Sequence, residues 1–354
     1  MKLKNIILSV FIALFSFSAC SDDDNPEFPE SPVYDMSGFA KGADIGWLTE
    51  MEKSSKKFYN SIGTEKDCIE LLRDLGMNSV RLRVWVDPQN GWCNAEDVLI
   101  KAWRAKNLGM RIMVNFHYSD SWADPSQQTK PAAWADLDLD ELKQAVADHT
   151  TEVLTKLKTN GIDVEWVQIG NETSDGMLWR KNEDDPSPSG KASESMKNYA
   201  ELNNAGYDAA KAVYPNAKMI VHLNNGFDND LFRWLFDGLK NNGGKWDVIG
   251  MSLYPSTDDG DWEEKNEACL ENMEDMISRY GTEVMICEVG MAWDAAETAK
   301  DFLTDLIEKA KSVEGGKCLG VLYWEPESYG NWDGYTMGAF DNSGKPTVAM
   351  DAFK

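Results

Sequence analysis

Histidine is nearly missing from this chain, with 3 copies in 354 residues. There is no His-x-His or His-Glu-x-x-His spacing, so a histidine-built metal centre is not expected. Cysteine is sparse as well, and no Cys-x-x-Cys pair exists among the 6. A disulfide framework is not expected, and Cys287 and Cys318, set in apolar runs, read as small core residues. Basic residues are in deficit, 35 against 60 acidic, for a formal net charge of −25. Such a chain repels nucleic acid and anionic lipid, so neither is expected as a partner. No glycine-rich phosphate loop follows the first strand candidate, because Gly42-Ala43-Asp44-Ile45-Gly46 lacks the spacing. No internal repeat is visible.

Long apolar runs are also missing. The one from Ile6 to Ala19 is too short for a comfortable membrane span. It follows Met1-Lys2-Leu3-Lys4 and ends in Phe17-Ser18-Ala19-Cys20, the layout of an export signal. The ending resembles a bacterial lipobox, in which Cys20 becomes the acylated first residue. Ser21-Asp22-Asp23-Asp24 reads either as a solvated acidic linker or as the surface-export signal of Bacteroidetes lipoproteins, which it resembles. The expected organisation is a signal peptide over 1–19, an acidic, proline-rich tether over 20–35, and one folded domain over 36–354. The expected location is the outer membrane, attached by lipid alone and facing the cell exterior. Five cysteines then remain, an odd number.

From Phe39 onward two textures alternate. Short apolar runs with strand character lie at 39–44, 79–85, 111–116, 164–169, 218–223, 248–253, 284–287 and 319–323. Stretches with helical spacing lie between them, at 65–75, 95–108, 139–157, 195–213, 231–239, 267–280 and 295–311. Gly76, Gly109, Gly161 and Gly281 punctuate the helix ends, where a left-handed residue is needed. Eight strands alternating with helices predict a single closed (β/α)₈ barrel.

In such a barrel the chemistry belongs at the C-terminal ends of the strands. Those ends hold Asp44, Arg83 with Asp87, Asn115 with His117 and Tyr118, Asn171 with Glu172, Asn224 with Asn225, Tyr254, Glu288, and Trp324 with Glu325. Glu172 and Glu288 close strands four and seven, across the mouth from one another. Two such acids suit retaining glycoside cleavage, one protonating the leaving oxygen and the other attacking the anomeric carbon. Glu172 is assigned as acid/base and Glu288 as nucleophile, with Arg83 and Tyr254 as donors to Glu288. Asn171 is placed to bond a sugar 2-hydroxyl. His117 is either a satisfied core residue or a substrate contact, and its company of Tyr118, Asp120 and Trp122 favours the contact. His222 reads as core. Tryptophan, with 14 copies, is abundant. Trp324 can floor the reacting sugar, while Trp122, Trp293 and Trp332 either stack on further sugars or anchor their loops.

Several of these stretches together resemble the endo-β-1,4-galactanases (arabinogalactan endo-β-1,4-galactosidases) of glycoside hydrolase family 53. They are Gly42-Ala43-Asp44, Val80-Arg81-Leu82-Arg83-Val84-Trp85, the run from Asn115 through His117 and Trp122 to Pro125, Val167 to Glu172, Gly176-Met177-Leu178-Trp179 and Tyr323-Trp324-Glu325-Pro326. The resemblance implies endo-hydrolysis of galactan and type I arabinogalactan, with the acid/base carried to Glu172 and the nucleophile to Glu288. Departures are Asn115 where an acid is common, Val86 where Asn is common, and Gly290-Met291-Ala292-Trp293-Asp294 after the nucleophile. Some bacterial members bind calcium in a long acidic loop after strand seven. Here helix seven begins almost at once, so no ion and no cofactor is expected. A tethered enzyme acting on a polymer needs no partner subunit, and a monomer is expected. The competing readings are the same machinery on mannan or xylan, and a glycan-binding lipoprotein that no longer cuts.

Overall fold

Eight short runs rich in valine, isoleucine and leucine become parallel strands: β1 Ala40–Asp44, β2 Ser79–Val84, β3 Arg111–Phe116, β4 Trp166–Ile169, β5 Lys218–Leu223, β6 Val248–Leu253, β7 Glu283–Val289 and β8 Cys318–Trp324. The computed structural model describes residues 37–354. The signal segment, Cys20 and the tether lie outside the described residues. Each strand pairs with its neighbour in sequence, and β8 pairs back onto β1, closing the barrel.

Among the described residues a short helix, Leu48–Lys53, follows β1, and seven longer ones cover the barrel: α1 Cys68–Asp74, α2 Ala95–Asn107, α3 Leu139–Thr159, α4 Ala192–Val213, α5 Asn229–Asn241, α6 Asp261–Tyr280 and α7 Ala296–Ser312. After β8 comes a 3₁₀ segment, Val348–Phe353, in the place of an eighth helix. Several helices start where an Asp or Asn side chain accepts an otherwise orphaned N–H. Asp138 does so for α3 in a full capping box with Glu141. α5 shows the packing rule plainly, with Phe232, Leu235, Phe236 and Leu239 buried on one stripe.

Two apolar clusters divide the interior. The larger lies between strands and helices. The smaller plugs the inside of the barrel with Ala40, Met113, Trp166, Ile220, Val248, Met285, Cys287 and Leu322. Above that plug, toward the C-terminal strand ends, the inward positions turn polar: Asp44, Arg81, Arg83, Asn115, Gln168 and His222 are all buried. Alternation along β2 explains the pair of arginines, since Val80, Leu82 and Val84 pack outward in the larger cluster. The short helix Leu48–Lys53 escapes the pattern reading, and so does one further feature. A two-stranded hairpin, Gly176–Met177 with Gly190–Lys191, rises from the connection after β4.

Candidate active site

Glu288 reaches the mouth because β7 carries an extra residue. Met285 and Cys287 both belong to the inner plug, so strict alternation would turn Glu288 out toward the helices. On the β6 side Met251 pairs with Ile286, yet the next residue, Ser252, pairs with Glu288. On the β8 side Val321 pairs with Ile286 and Tyr323 with Val289, again one residue long. The bulge re-aims the carboxylate inward, as bulges beside functional sites do. There Glu288 Oε1 meets Arg81 Nη1 at 2.8 Å and Oε2 accepts the Tyr254 hydroxyl at 3.0 Å. Both donors suit an anionic, attacking carboxylate.

Glu172 follows β4 with a left-handed backbone, φ 44°, a strained conformation for a residue with a side chain. Its peptide N–H points at His222 Nδ1, 3.3 Å away. Burial and the nearby Glu288 charge push its carboxyl up to about 8, against the opposing pull of Ser252 and Arg81. The same interaction shows that the two acids lie close enough to sense one another. His222 is therefore more than core. Its Nε2 bonds Ser252 Oγ at 2.8 Å, and Ser252 in turn hydrogen-bonds the Glu172 carboxyl. Burial holds the imidazole pKa well below its usual range, so it serves as a neutral link.

Arg81 is the hub. Besides Glu288, it donates to Asp44 Oδ2 at 2.6 Å, Asn171 Oδ1 at 2.8 Å and Gln168 Oε1 at 3.1 Å. Sequence reading assigns the contact with Glu288 to Arg83, and the structure corrects this. Arg83 lies one inward position nearer the rim and turns to the other side, pairing with Glu325 and standing 3.9 Å from Asp44. Asn171 is fixed on several sides, with its Nδ2 on Ala123 O at 2.8 Å and Asn115 Nδ2 on its Oδ1 at 3.1 Å.

His117 has a structural role as well. It is buried, with Nδ1 accepting the Ala123 N–H at 3.1 Å and Nε2 facing the Asn115 amide at 3.2 Å. With Nδ1 accepting the Ala123 N–H, the ring braces the Trp122 loop, and as a neutral imidazole it carries its hydrogen on Nε2. Tyr118 turns outward to Thr150 on α3, 2.8 Å away. Asp87 stays exposed on the rim, its N–H donated to Asp120 at 3.0 Å. Trp293 is half-buried in the short connection between β7 and α7, its N–H on Thr336 O at 3.0 Å.

Trp324 and Trp122 do come together, 5.9 Å apart between ring centres, and Trp47 joins both at 5.1 and 5.6 Å. The Arg83 guanidinium lies 4.4 Å from the Trp122 ring centre and 5.2 Å from that of Trp47, a cation–π hub inside the wall. Trp47 and Trp122 continue into a cleft of about 360 Å³ that Trp85, Trp92 and Trp332 also line. Among the described residues, no group of three or more His, Cys, Asp or Glu side chains is placed to hold a metal ion. The arrangement joins a protonated carboxyl, an anionic carboxylate and indole faces, and can cleave an acetal bond between stacked sugar rings.

The family model described as glycosyl hydrolase family 53 matches residues 40–301. The chain is 33% identical to a probable arabinogalactan endo-β-1,4-galactanase A of Neosartorya fischeri, over 81% of this chain and 83% of the relative. It is 30% identical to an arabinogalactan endo-β-1,4-galactanase of Humicola insolens, over 81% of this chain and 89% of that one. A solved structure from work on two fungal β-1,4-galactanases superposes with a TM-score of 0.80 at 28% identity, covering 90% of this chain and 99% of its own.

Proposed function

The chain belongs to glycosyl hydrolase family 53 and is a glycoside hydrolase, and from that premise we propose that it cuts internal β-1,4-galactosidic linkages of galactan and type I arabinogalactan with retention of configuration. The observation that carries the mechanism is the pairing of Glu172, pushed up to about 8, with a Glu288 held by Arg81 and Tyr254. Glu288 attacks the anomeric carbon while Glu172 gives its proton to the departing glycosidic oxygen. A glycosyl-enzyme ester forms. Glu172, now a carboxylate, takes a proton from water, whose oxygen attacks the same carbon and releases Glu288. Asn171 spends one Nδ2 hydrogen on Ala123 O, leaving the second for a substrate 2-hydroxyl. Trp324 floors the reacting ring, and the tryptophan cleft beyond Trp122 takes further sugars of the polymer.

The substrate choice rests on the Neosartorya fischeri and Humicola insolens relatives, which are arabinogalactan endo-β-1,4-galactanases by name. A polysaccharide panel tests it: galacto-oligosaccharides should appear from potato galactan, and nothing from mannan or xylan. Release of products from mannan or xylan but not galactan would overturn the assignment. For location, the lipobox-like run before Cys20, with Ser21-Asp22-Asp23-Asp24 after it, supports an outer-membrane lipoprotein facing outward. Labelled fatty acid should enter the wild-type chain and not Cys20→Ala, and external protease should reach the domain on intact cells. A label retained by the variant, or full protection, would contradict this.

A further inference from the structure

Glu327 has no part in the chemistry above, yet it is fully buried just past β8. Neither of its carboxyl oxygens meets an N–H or O–H donor from another residue; only its own peptide N–H lies near. An ionised carboxylate in that position would forfeit its hydration without replacement. What it does reach is another carboxyl, since Glu325 lies within hydrogen-bonding distance. Glu325 is already engaged on both oxygens, Oε1 by Arg83 Nη1 and Oε2 by the Trp47 N–H at 3.0 Å. The space is tight. A Cβ added to Gly46 would stand 2.2 Å from Arg83 Nη1 and 2.8 Å from Glu325 Oε1.

Two acceptor-only groups cannot face one another in a dry site while both are charged. The surrounding charges do not relieve them. Asp44, Glu172, Glu288, Glu325 and Glu327 share two guanidinium groups, Arg81 and Arg83, and the buried Lys101 ammonium beside Gly46 is paired with Asp97 at 2.7 Å. Burial keeps His117 and His222 neutral, so neither supplies a cation, and it keeps the neighbouring Cys68 thiol and Tyr335 phenol protonated and uncharged.

We propose that Glu327 is a positioning residue that acts as a neutral acid: its O–H donates to Glu325, and this third donor locks the carboxylate that holds Arg83 and Trp47 in the tryptophan wall. Burial first, and then the Glu325 charge, raise the Glu327 carboxyl well above the usual range, in keeping with the geometry. The expected consequence is on grip, because Arg83 and Trp47 stand against Trp122, whose cleft takes the sugars beyond the reacting ring, whereas Glu288 is held by Arg81 and Tyr254. In this kinetic respect the inference rests on the galactan reading.

Infrared difference spectra and kinetics test it together. At pH 7, the spectrum of wild type minus Glu327→Gln should show the carbonyl band of a protonated carboxylic acid. Glu327→Gln keeps a donor and should leave KM for galactan within about twofold. Glu327→Leu loses it and should raise KM about tenfold or more, with kcat within about twofold. A difference spectrum holding only carboxylate bands overturns the proposal. So does a Gln variant whose KM rises as far as that of Leu, or a loss confined to kcat. Should galactan prove no substrate at all, the infrared result still decides the protonation of Glu327.

Discussion

The two ends of the barrel solve the same turning problem with different residues. At the foot, where helices hand over to strands, the left-handed positions are glycines: Gly76, Gly109, Gly161, Gly243, Gly281, Gly315 and Gly316. At the mouth, the left-handed residues just past β3, β4, β5 and β8 include Tyr118, Glu172, Asn225 and Glu325. Each non-glycine residue there costs about 1–2 kcal/mol of backbone strain. Charge divides the same way. The foot carries partly exposed pairs such as Arg111–Glu165 at 2.5 Å and Lys218–Glu283 at 2.6 Å. In the mouth Arg81 and Arg83 are sealed from water among acids. The foot is built for backbone comfort. The mouth keeps strain and desolvated charge because particular side chains must point at one place.

Substitutions at the two ends should therefore fail in different currencies. The largest effect is expected for Glu288→Ala, with hydrolysis down by at least about 10⁴-fold and no loss of melting temperature, checked by reducing-end release and a thermal melt. Binding of long galactan chains should stay measurable in that variant. Arg81→Met should lower kcat by about 10²–10³-fold. It should also cost about 3–5 kcal/mol, because it leaves buried Asp44 and Glu288 without their cation; urea unfolding beside kinetics reads both. A melt that stays put would show that the mouth is less dry than argued.

Proton linkage gives a third contrast. Glu172 is raised to about 8 and Asp44 to about 7, burial being the first cause for both. Both hold their protons more tightly folded than unfolded. Their contribution is complete below the unfolded carboxyl range and is lost as pH rises through the folded values. Melting temperature should fall between about pH 5 and 8 in wild type, and less steeply in Glu172→Gln. The smallest effects belong to the foot. Gly281→Ala, at φ 70° with open space around it, should cost about 1–2 kcal/mol. Glu165→Gln should cost under about 1 kcal/mol. Both should keep full activity, and an activity loss in either would erase the distinction between the ends.

Much of this was open to a reading of the chain. Strand boundaries came through because period-two apolar runs end abruptly in polar residues, so β3, β5 and β6 match residue for residue. Glu172, Tyr254 and Trp324 were visible as polar or aromatic endings. Arg81 was not, because it sits deeper than the strand end. The clue was there in Ser79-Val80-Arg81-Leu82-Arg83-Val84, where alternation sends both arginines inward and a long side chain from the lower layer can still reach the mouth. The β7 bulge was hidden, since pairing and not composition reveals it. The bracing role of His117 was hidden, because its loop companions look like ligand contacts and the Ala123 N–H on its Nδ1 is a backbone donor that composition does not reveal.

The most direct test is to trap the ester. A galactobioside with fluorine at carbon 2 and a good leaving group should stall after attack, and peptide mass spectrometry should find the added galactosyl mass on the peptide bearing Glu288, at that residue. A label on Glu172 or elsewhere, or release of the inverted anomer from untreated enzyme, would contradict the account.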